Sequence, residues 1–351
     1  MSGPVAVVGA TGWGTTLAVI LARHGLHVRL LVRSDAEARE LDSVRENRAL
    51  LPGVAFPPEL AITPVVSAAT KDTELVLVAV PSRSLRENAR RLRGALPPGA
   101  VLLSATKGLE QATCLRSTEV LAQELPEAGT RLAALSGPNL SKEIAAGLPA
   151  ATVVASQDPA VACQAQELVA APRLRVYTST DLIGVELAGA LKNVIALAAG
   201  ISDGLGYGDN AKAALMTRGL AEIARLGVAL GAHPLTFAGL AGLGDLVATC
   251  SSPLSRNRSV GLALAQGRPL SEVLAGMRQV AEGVPTTAAA RLLAQRRGVE
   301  MPITEAVHAV LFEGVHPRAA AELLLSREAG SEMQGLEAVI DRRGSNQSTL
   351  I

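Results

Sequence analysis

Aromatic residues are nearly missing, with one Trp, two Tyr and three Phe in 351 residues. Single-stranded nucleic acid is usually held by stacking bases on aromatic side chains, so that platform is excluded. An excess of either charge is missing too, with 33 basic and 32 acidic residues. The formal net charge is +1, which leaves no electrostatic footprint for nucleic acid or an anionic membrane. Cysteine is scarce and odd in number: Cys114, Cys163 and Cys250 lie far apart. They make neither a disulfide framework nor a metal site, and the five histidines show no ligand spacing, so no metal is expected and a cytoplasmic, reducing location fits. The opening MSGPVAVVGA has no basic stretch before its apolar run and does not read as a signal peptide. Lysine is the last shortage. Of 33 basic residues only Lys71, Lys107, Lys142, Lys192 and Lys212 are lysines. Arginine does not release its proton near neutral pH and a buried lysine can, so some of these five are expected to be placed by chemistry.

What is present is apolar material, 48% of the chain, enough for about two domains. Residues 4–9 read as a strand, GATGWG as a turn, TTLAVILARHG as a helix and 27–32 as a second strand. Strand, glycine turn, helix and strand within about 30 residues is the dinucleotide-binding unit. Gly9, Gly12 and Gly14 let the backbone approach a pyrophosphate, and the helix N-terminus supplies free N–H groups. The spacing departs from GxGxxG, because Thr11 stands where a glycine is usual. After the second strand come Arg33 and Ser34, which suit a ribose 2′-phosphate and favour NADPH. Asp35 is close enough to leave NADH open.

Further apolar runs at 74–80, 100–105, 131–136, 151–155 and 174–177 alternate with helical segments such as 83–93 and 159–170. They predict a mostly parallel α/β sheet of Rossmann type, covered on both faces. Ligands bind beyond the carboxyl ends of such strands. Those ends carry Pro81-Ser82, Lys107-Gly108 and Gly137-Pro138-Asn139, expected to face one crevice. Beyond about 178 the pattern is purely helical, at 181–200, 209–230, 257–266, 270–277, 285–297 and 303–313. The expected division is therefore 1–178, a helical domain at 179–341 and a polar tail at 342–351.

The helix at 181–200 is expected to run from an Asp181 cap to a Gly200 stop and to be buried, since it has no wet face. Lys192 interrupts it with Asn193 beside it. A buried ammonium is costly unless paired or given a cleft, so Lys192 is the candidate for moving a proton. Two loops are expected to join it. Gly239 to Leu246 delivers the carboxylate of Asp245. Ser255-Arg256-Asn257-Arg258 offers a serine cap, a guanidinium and an amide at a helix start, a cradle for phosphate. Each has a plainer reading, Asp245 as a helix cap and 255–258 as a capped surface helix.

Over about residues 4–340 the chain resembles the bacterial-type NAD(P)-dependent sn-glycerol-3-phosphate dehydrogenases. The motifs are GATGWGT at 9–15, LPG at 51–53, VPS at 80–82, KG at 107–108, SGPN at 136–139, the run at 186–215, GLGDLVATC at 242–250, SRNR at 255–258 and EGVPTT at 282–287. The resemblance implies that Gly12, Trp13, Arg33, Lys107, Ser141, Arg256 and Glu282 contact NADPH or NADH, joining the fingerprint glycines Gly9 and Gly14. It implies Lys192 as proton donor and acceptor. Lys107, Gly137, Asn139, Lys192, Asp245, Ser255, Arg256 and Asn257 would line the substrate site. Gly12 stands where serine is usual, and Asn139 and Ser141 stand where serine and alanine are usual.

The expected reaction is reversible reduction of dihydroxyacetone phosphate to sn-glycerol 3-phosphate, at a site between the two domains, for phospholipid synthesis. Asn193 and Asp245 are expected to hold the lysine and the substrate hydroxyls. The expected partner is that small molecule alone, with no nucleic acid or stable membrane insertion, and a homodimer is admitted. Two alternatives stay open: a hydroxyacid or ketopantoate-type reductase, which would lack the phosphate cradle, and an NADPH-binding sensor without turnover. A short-chain dehydrogenase needs Tyr-x-x-x-Lys, and Tyr177 and Tyr207 are followed four residues on by Asp181 and Ala211.

Overall fold

The structure is a computed structural model and describes residues 3–328. The expected tail at 342–351, and the helical domain from 329, lie outside the described residues. The chain divides into two compact units. In the first, residues up to 107 and 115–182, β1 (Val5–Val8) leads to α1 (Gly12–Arg23), β2 (Val28–Leu31), α2 (Asp35–Val44), β3 (Leu60–Thr63) and α3 (Val66–Thr70). Next come β4 (Leu75–Val78), α4 (Ser82–Arg91), β5 (Val101–Ser104), α5 (Ser117–Glu124) and β6 (Leu132–Ser136). The unit closes with α6 (Ser141–Ala145), β7 (Ala150–Ala155), α7 (Pro159–Val169) and β8 (Leu174–Ser179).

The eight strands form one sheet in the order β3-β2-β1-β4-β5-β6-β7-β8. All neighbours are parallel except β6 and β7. Strand side chains alternate between faces, and both faces here are apolar. Val5, Val7, Leu75, Leu77, Val101 and Leu103 enter one core. Ala6, Val8, Val76, Val78 and Leu102 enter the other. That is why β1, β4 and β5 read as unbroken apolar runs. β3, which lies at the sheet edge and is only partly buried, is not among the predicted strands: its four residues are hemmed in by Pro57, Pro58 and Pro64, which break the strand pattern. The chain reverses direction of winding between β1 and β4, and the glycine turn after β1 opens at that switch point, where ligands of such sheets bind.

The second unit takes residues 108–114 and 183 onward. Its helices are α8 (Leu182–Leu205), α9 (Gly208–Ala229), α10 (Asp245–Ser251), α11 (Arg256–Ala265), α12 (Leu270–Ala275), α13 (Gly283–Arg297), α14 (Pro302–Phe312) and α15 (Pro317–Leu325). The helix α8 does not stop at Gly200 as expected but continues to Leu205. Gly200 serves another purpose. A Cβ there would come within 2.0 Å of the Arg258 carbonyl oxygen, and one at Gly261 within 2.0 Å of the Leu197 carbonyl oxygen. Two glycines thus let the backbones of α8 and α11 touch. The segment at 239–246, expected as a loop, is instead a wide π-type turn over Leu240–Gly244 running straight into α10. Among the described residues α8 is the one helix long and apolar enough to cross a membrane, and 94% of its most apolar window is buried.

Candidate active site

Lys192 lies in the middle of α8 and is 6% exposed. Its ammonium donates to Asp245 Oδ1 and to Thr249 Oγ1, each at 2.6 Å. Asp245 opens α10 and Thr249 follows one turn later, so both face the same spot. The Thr249 hydroxyl in turn donates to Asp245 Oδ1 at 3.2 Å. Three groups therefore close a buried triangle. An ammonium has three N–H donors, and these bonds take two. Thr249 was not foreseen. Its one signal is the i+4 spacing from Asp245, which any helical threonine could show. Beside it, burial pushes the Cys250 thiol up to about 12, so it stays protonated.

Asn193 joins a second set of bonds. Its Oδ1 accepts from Asn257 Nδ2 at 2.8 Å, and Asn257 Oδ1 accepts from the Gly283 N–H at 2.9 Å. Asn257 is buried, and its amide ties α8, α11 and α13 together rather than standing open as part of a cradle. A Cβ at Gly283 would fall 2.6 Å from the Asn193 carbonyl oxygen, so a side chain would break this junction. The plain reading of Ser255 holds as geometry: it caps α11 and accepts from the Arg258 N–H at 3.2 Å. The N–H groups of Arg256 and Asn257 open the helix, where no intrahelical acceptor exists. Arg256 is exposed and donates to the Val280 carbonyl at 2.8 Å, and Glu282, just before α13, faces it electrostatically. Arg258 turns away to Asp203 at 2.6 Å, an aspartate shared with Lys212.

In the first unit the expected strand ends do share one edge of the sheet, since β4, β5 and β6 are parallel. Lys107 Nζ donates to the Gly137 carbonyl at 2.7 Å. Gly137 has φ +142 and a Cβ would press on Thr152 Cα at 3.0 Å, so glycine is required. Asn139 Nδ2 donates to Thr152 Oγ1 at 3.2 Å, while its Oδ1 is buried without a hydrogen-bond partner. Ser141 opens α6, and its carbonyl accepts from Thr16 Oγ1 at 3.2 Å.

The glycine turn fits a dinucleotide on this structure's own terms. Gly9 has φ +106, and a Cβ would meet Val80 at 2.7 Å; one at Gly14 would meet the Gly9 carbonyl at 2.1 Å. Thr11, the departure from the fingerprint, is the N-cap of α1. It accepts from the Gly14 N–H at 3.0 Å and donates to the Ala79 carbonyl at 2.7 Å, so its side chain caps the helix and ties the turn to the end of β4. Gly12 and Trp13 follow at the helix start, and Trp13 Nε1 is buried without a hydrogen-bond partner. A buried orphan donor beside a helix N-terminus suits a ligand rich in acceptors. Asn47, 4% exposed, holds the turn from behind, donating to the Ala10 carbonyl at 3.0 Å and Thr15 Oγ1 at 2.9 Å. Arg33, just past β2, is paired with Glu37 at 3.1 Å.

Comparison with known proteins agrees with these motifs. Residues 4–162 match the profile described as NAD-dependent glycerol-3-phosphate dehydrogenase N-terminus, and residues 181–322 match that of the C-terminus. A glycerol-3-phosphate dehydrogenase of the NAD(P)+ type from Pelotomaculum thermopropionicum is 48% identical over 338 residues, 95% of this chain and 96% of that one. One from Geobacter sulfurreducens is 49% identical over 333 residues, 95% and 99% of the two chains. The crystal structure of glycerol-3-phosphate dehydrogenase from Coxiella burnetii superposes with a TM-score of 0.88 at 40% identity, covering 93% of this chain and 99% of that one. The chain belongs to the NAD(P)-dependent glycerol-3-phosphate dehydrogenase family.

Proposed function

We infer that the protein performs its family's reaction, interconverting dihydroxyacetone phosphate and sn-glycerol 3-phosphate, with Lys192 moving the proton. The single observation that carries the assignment of Lys192 is its triangle with Asp245 and Thr249, which fixes the ammonium and leaves one N–H. When bound, the dihydronicotinamide supplies the hydride for the carbonyl carbon. As that carbon is reduced, its oxygen gains charge, and Lys192 gives it a proton; in the reverse direction neutral Lys192 takes the hydroxyl proton. Positioned acid–base help of this kind is worth about 10²–10⁴ in rate. Asp245 holds the ammonium in place and balances its charge while buried. Thr249 fixes the third corner, so the remaining N–H has one direction.

The substrate phosphate is assigned to Arg256 and to the free N–H groups that open α11 behind Ser255. Asn257 contributes there through its backbone, because its amide is engaged with Asn193 and Gly283. Lys107 adds a cation beside Gly137 and Asn139. The residues that would hold the cofactor are Gly9, Gly12, Trp13 and Gly14 at the pyrophosphate, and Arg33 at the ribose; Ser141, Arg256 and Glu282 join them by family resemblance. Arg33 favours NADPH. Supply of glycerol phosphate for phospholipid synthesis, in the cytoplasm, is the role this chemistry fits. The test is to follow NADPH absorbance on adding dihydroxyacetone phosphate. Oxidation that depends on the phosphorylated substrate is expected. Stable NADPH with enzyme and substrate both present would refute the assignment.

A further inference from the structure

The end of the second strand is where such folds choose between the two nicotinamide cofactors: a carboxylate there takes the ribose 2′-hydroxyl, and a cation takes the 2′-phosphate. The sequence places Arg33 at that point and offers Asp35 as the nearest acid. The structure selects a different acid. Asp35 is exposed at the start of α2. Glu37, one turn into the helix, folds back so that its Oε2 accepts from the backbone N–H of Arg33 at 2.9 Å and from Arg33 Nε at 3.3 Å. Its Oε1 accepts from the terminal guanidinium nitrogen at 3.1 Å. Ser34, the cap of α2, accepts from the Glu37 N–H at 3.2 Å and sets the turn that brings the carboxylate back. The Glu37 side chain is 21% exposed and that of Arg33 is 84% exposed. The carboxylate is thus anchored on the main chain just past β2, while the guanidinium paired with it lies exposed at the surface.

We propose that Glu37 is a second cofactor-selecting residue, acting with Arg33 so that the chain accepts both NADH and NADPH. The inference rests on the family reading of the site. With NADH, the anchored carboxylate accepts from the ribose hydroxyls, and Arg33 keeps the local charge balanced. With NADPH, the 2′-phosphate takes the guanidinium from Glu37, and the carboxylate, held in place by the Arg33 N–H, opposes the phosphate charge. A lone arginine would favour the phosphate outright. A lone acid would reject it. The pair narrows the difference.

Binding of NADH and NADPH to the full-length protein, followed by the fluorescence of the reduced nicotinamide, separates the cases for wild type, Glu37→Gln and Arg33→Gln. For Glu37→Gln the dissociation constant for NADPH is expected to fall about fivefold and that for NADH to rise about fivefold, the size of one exposed charge contact. For Arg33→Gln NADPH is expected to weaken and NADH to hold. Glu37→Gln shifting both cofactors equally, as lost helix structure would, or leaving their ratio within about twofold of wild type, overturns the role of Glu37. Wild type binding neither cofactor would overturn the family reading itself, and the inference with it.

Discussion

Replacing Lys192 by methionine keeps most of the side-chain volume and removes the charge. Asp245 is then left 1% exposed, at the corner where the ammonium stood 2.6 Å away. Removing one partner of a buried ion pair costs about 3–5 kcal/mol, because the other charge stays buried without its counter-ion. A domain of about this size loses about 2–4 °C of Tm per kcal/mol, so Lys192→Met should melt roughly 6–20 °C below wild type. Adding Asp245→Asn removes the stranded charge while a polar group still faces Thr249. The double variant should therefore regain more than half of the lost Tm and remain inactive. Thermal melts of wild type, both single variants and the double, with turnover measured on each, make the cycle. If Lys192→Met melts within about 2 °C of wild type, or the double variant is no more stable than Lys192→Met, the pair is not coupled as described.

Arg256→Ala should raise KM for dihydroxyacetone phosphate by about 10–100-fold, the loss of a charge-assisted phosphate contact; an unchanged KM in steady-state kinetics removes Arg256 from the phosphate site. Gly261→Ala forces a methyl into the backbone contact between α8 and α11 and should cost at least about 1–3 kcal/mol in a urea melt, while raising the same KM because Ser255 and Arg256 move with α11. Glu222 on α9 is 3% exposed and accepts from the Ile303 and Thr304 N–H groups at the start of α14. Burial raises its pKa to about 7 against the pull of those donors. The folded state then binds the proton that the unfolded chain has already released, so stability falls as pH rises from the ordinary carboxyl value toward 7. Between about pH 5.5 and about pH 8 the loss is about 2 kcal/mol, and Glu222→Gln should lack that slope in urea melts at the two pH values. An equal slope in both proteins assigns it elsewhere.

The strands that could be read from the sequence are the ones buried on both faces. Val5–Val8, Leu75–Val78 and Val101–Ser104 have no polar face to confuse the pattern. Leu60–Thr63 could not be read, because a four-residue edge strand set between Pro58 and Pro64 looks like part of a proline-rich loop. The burial of Lys192 was legible because a charge in an oily helix has nowhere else to go. Thr249 was not, since a threonine one turn after an aspartate is ordinary until the fold brings α8 against it. Asn193 and Asn257 were legible only in part. Their polarity suggested ligand contacts, and the bond between the two amides adds a structural use that only the fold shows. Glu37 was hidden by its setting in the polar helix α2, where an acid four residues from an arginine looks like a solvated pair. Only the return of its carboxylate to the Arg33 main chain gives it a place.

Lys192 is the group proposed to move the proton. Turnover and NADPH affinity measured together on folded Lys192→Met test it most directly. With Lys192 in that role, kcat is expected at least about 100-fold below wild type, with the dissociation constant for NADPH within about twofold. Turnover within about fivefold of wild type, in protein that binds NADPH normally, would contradict it.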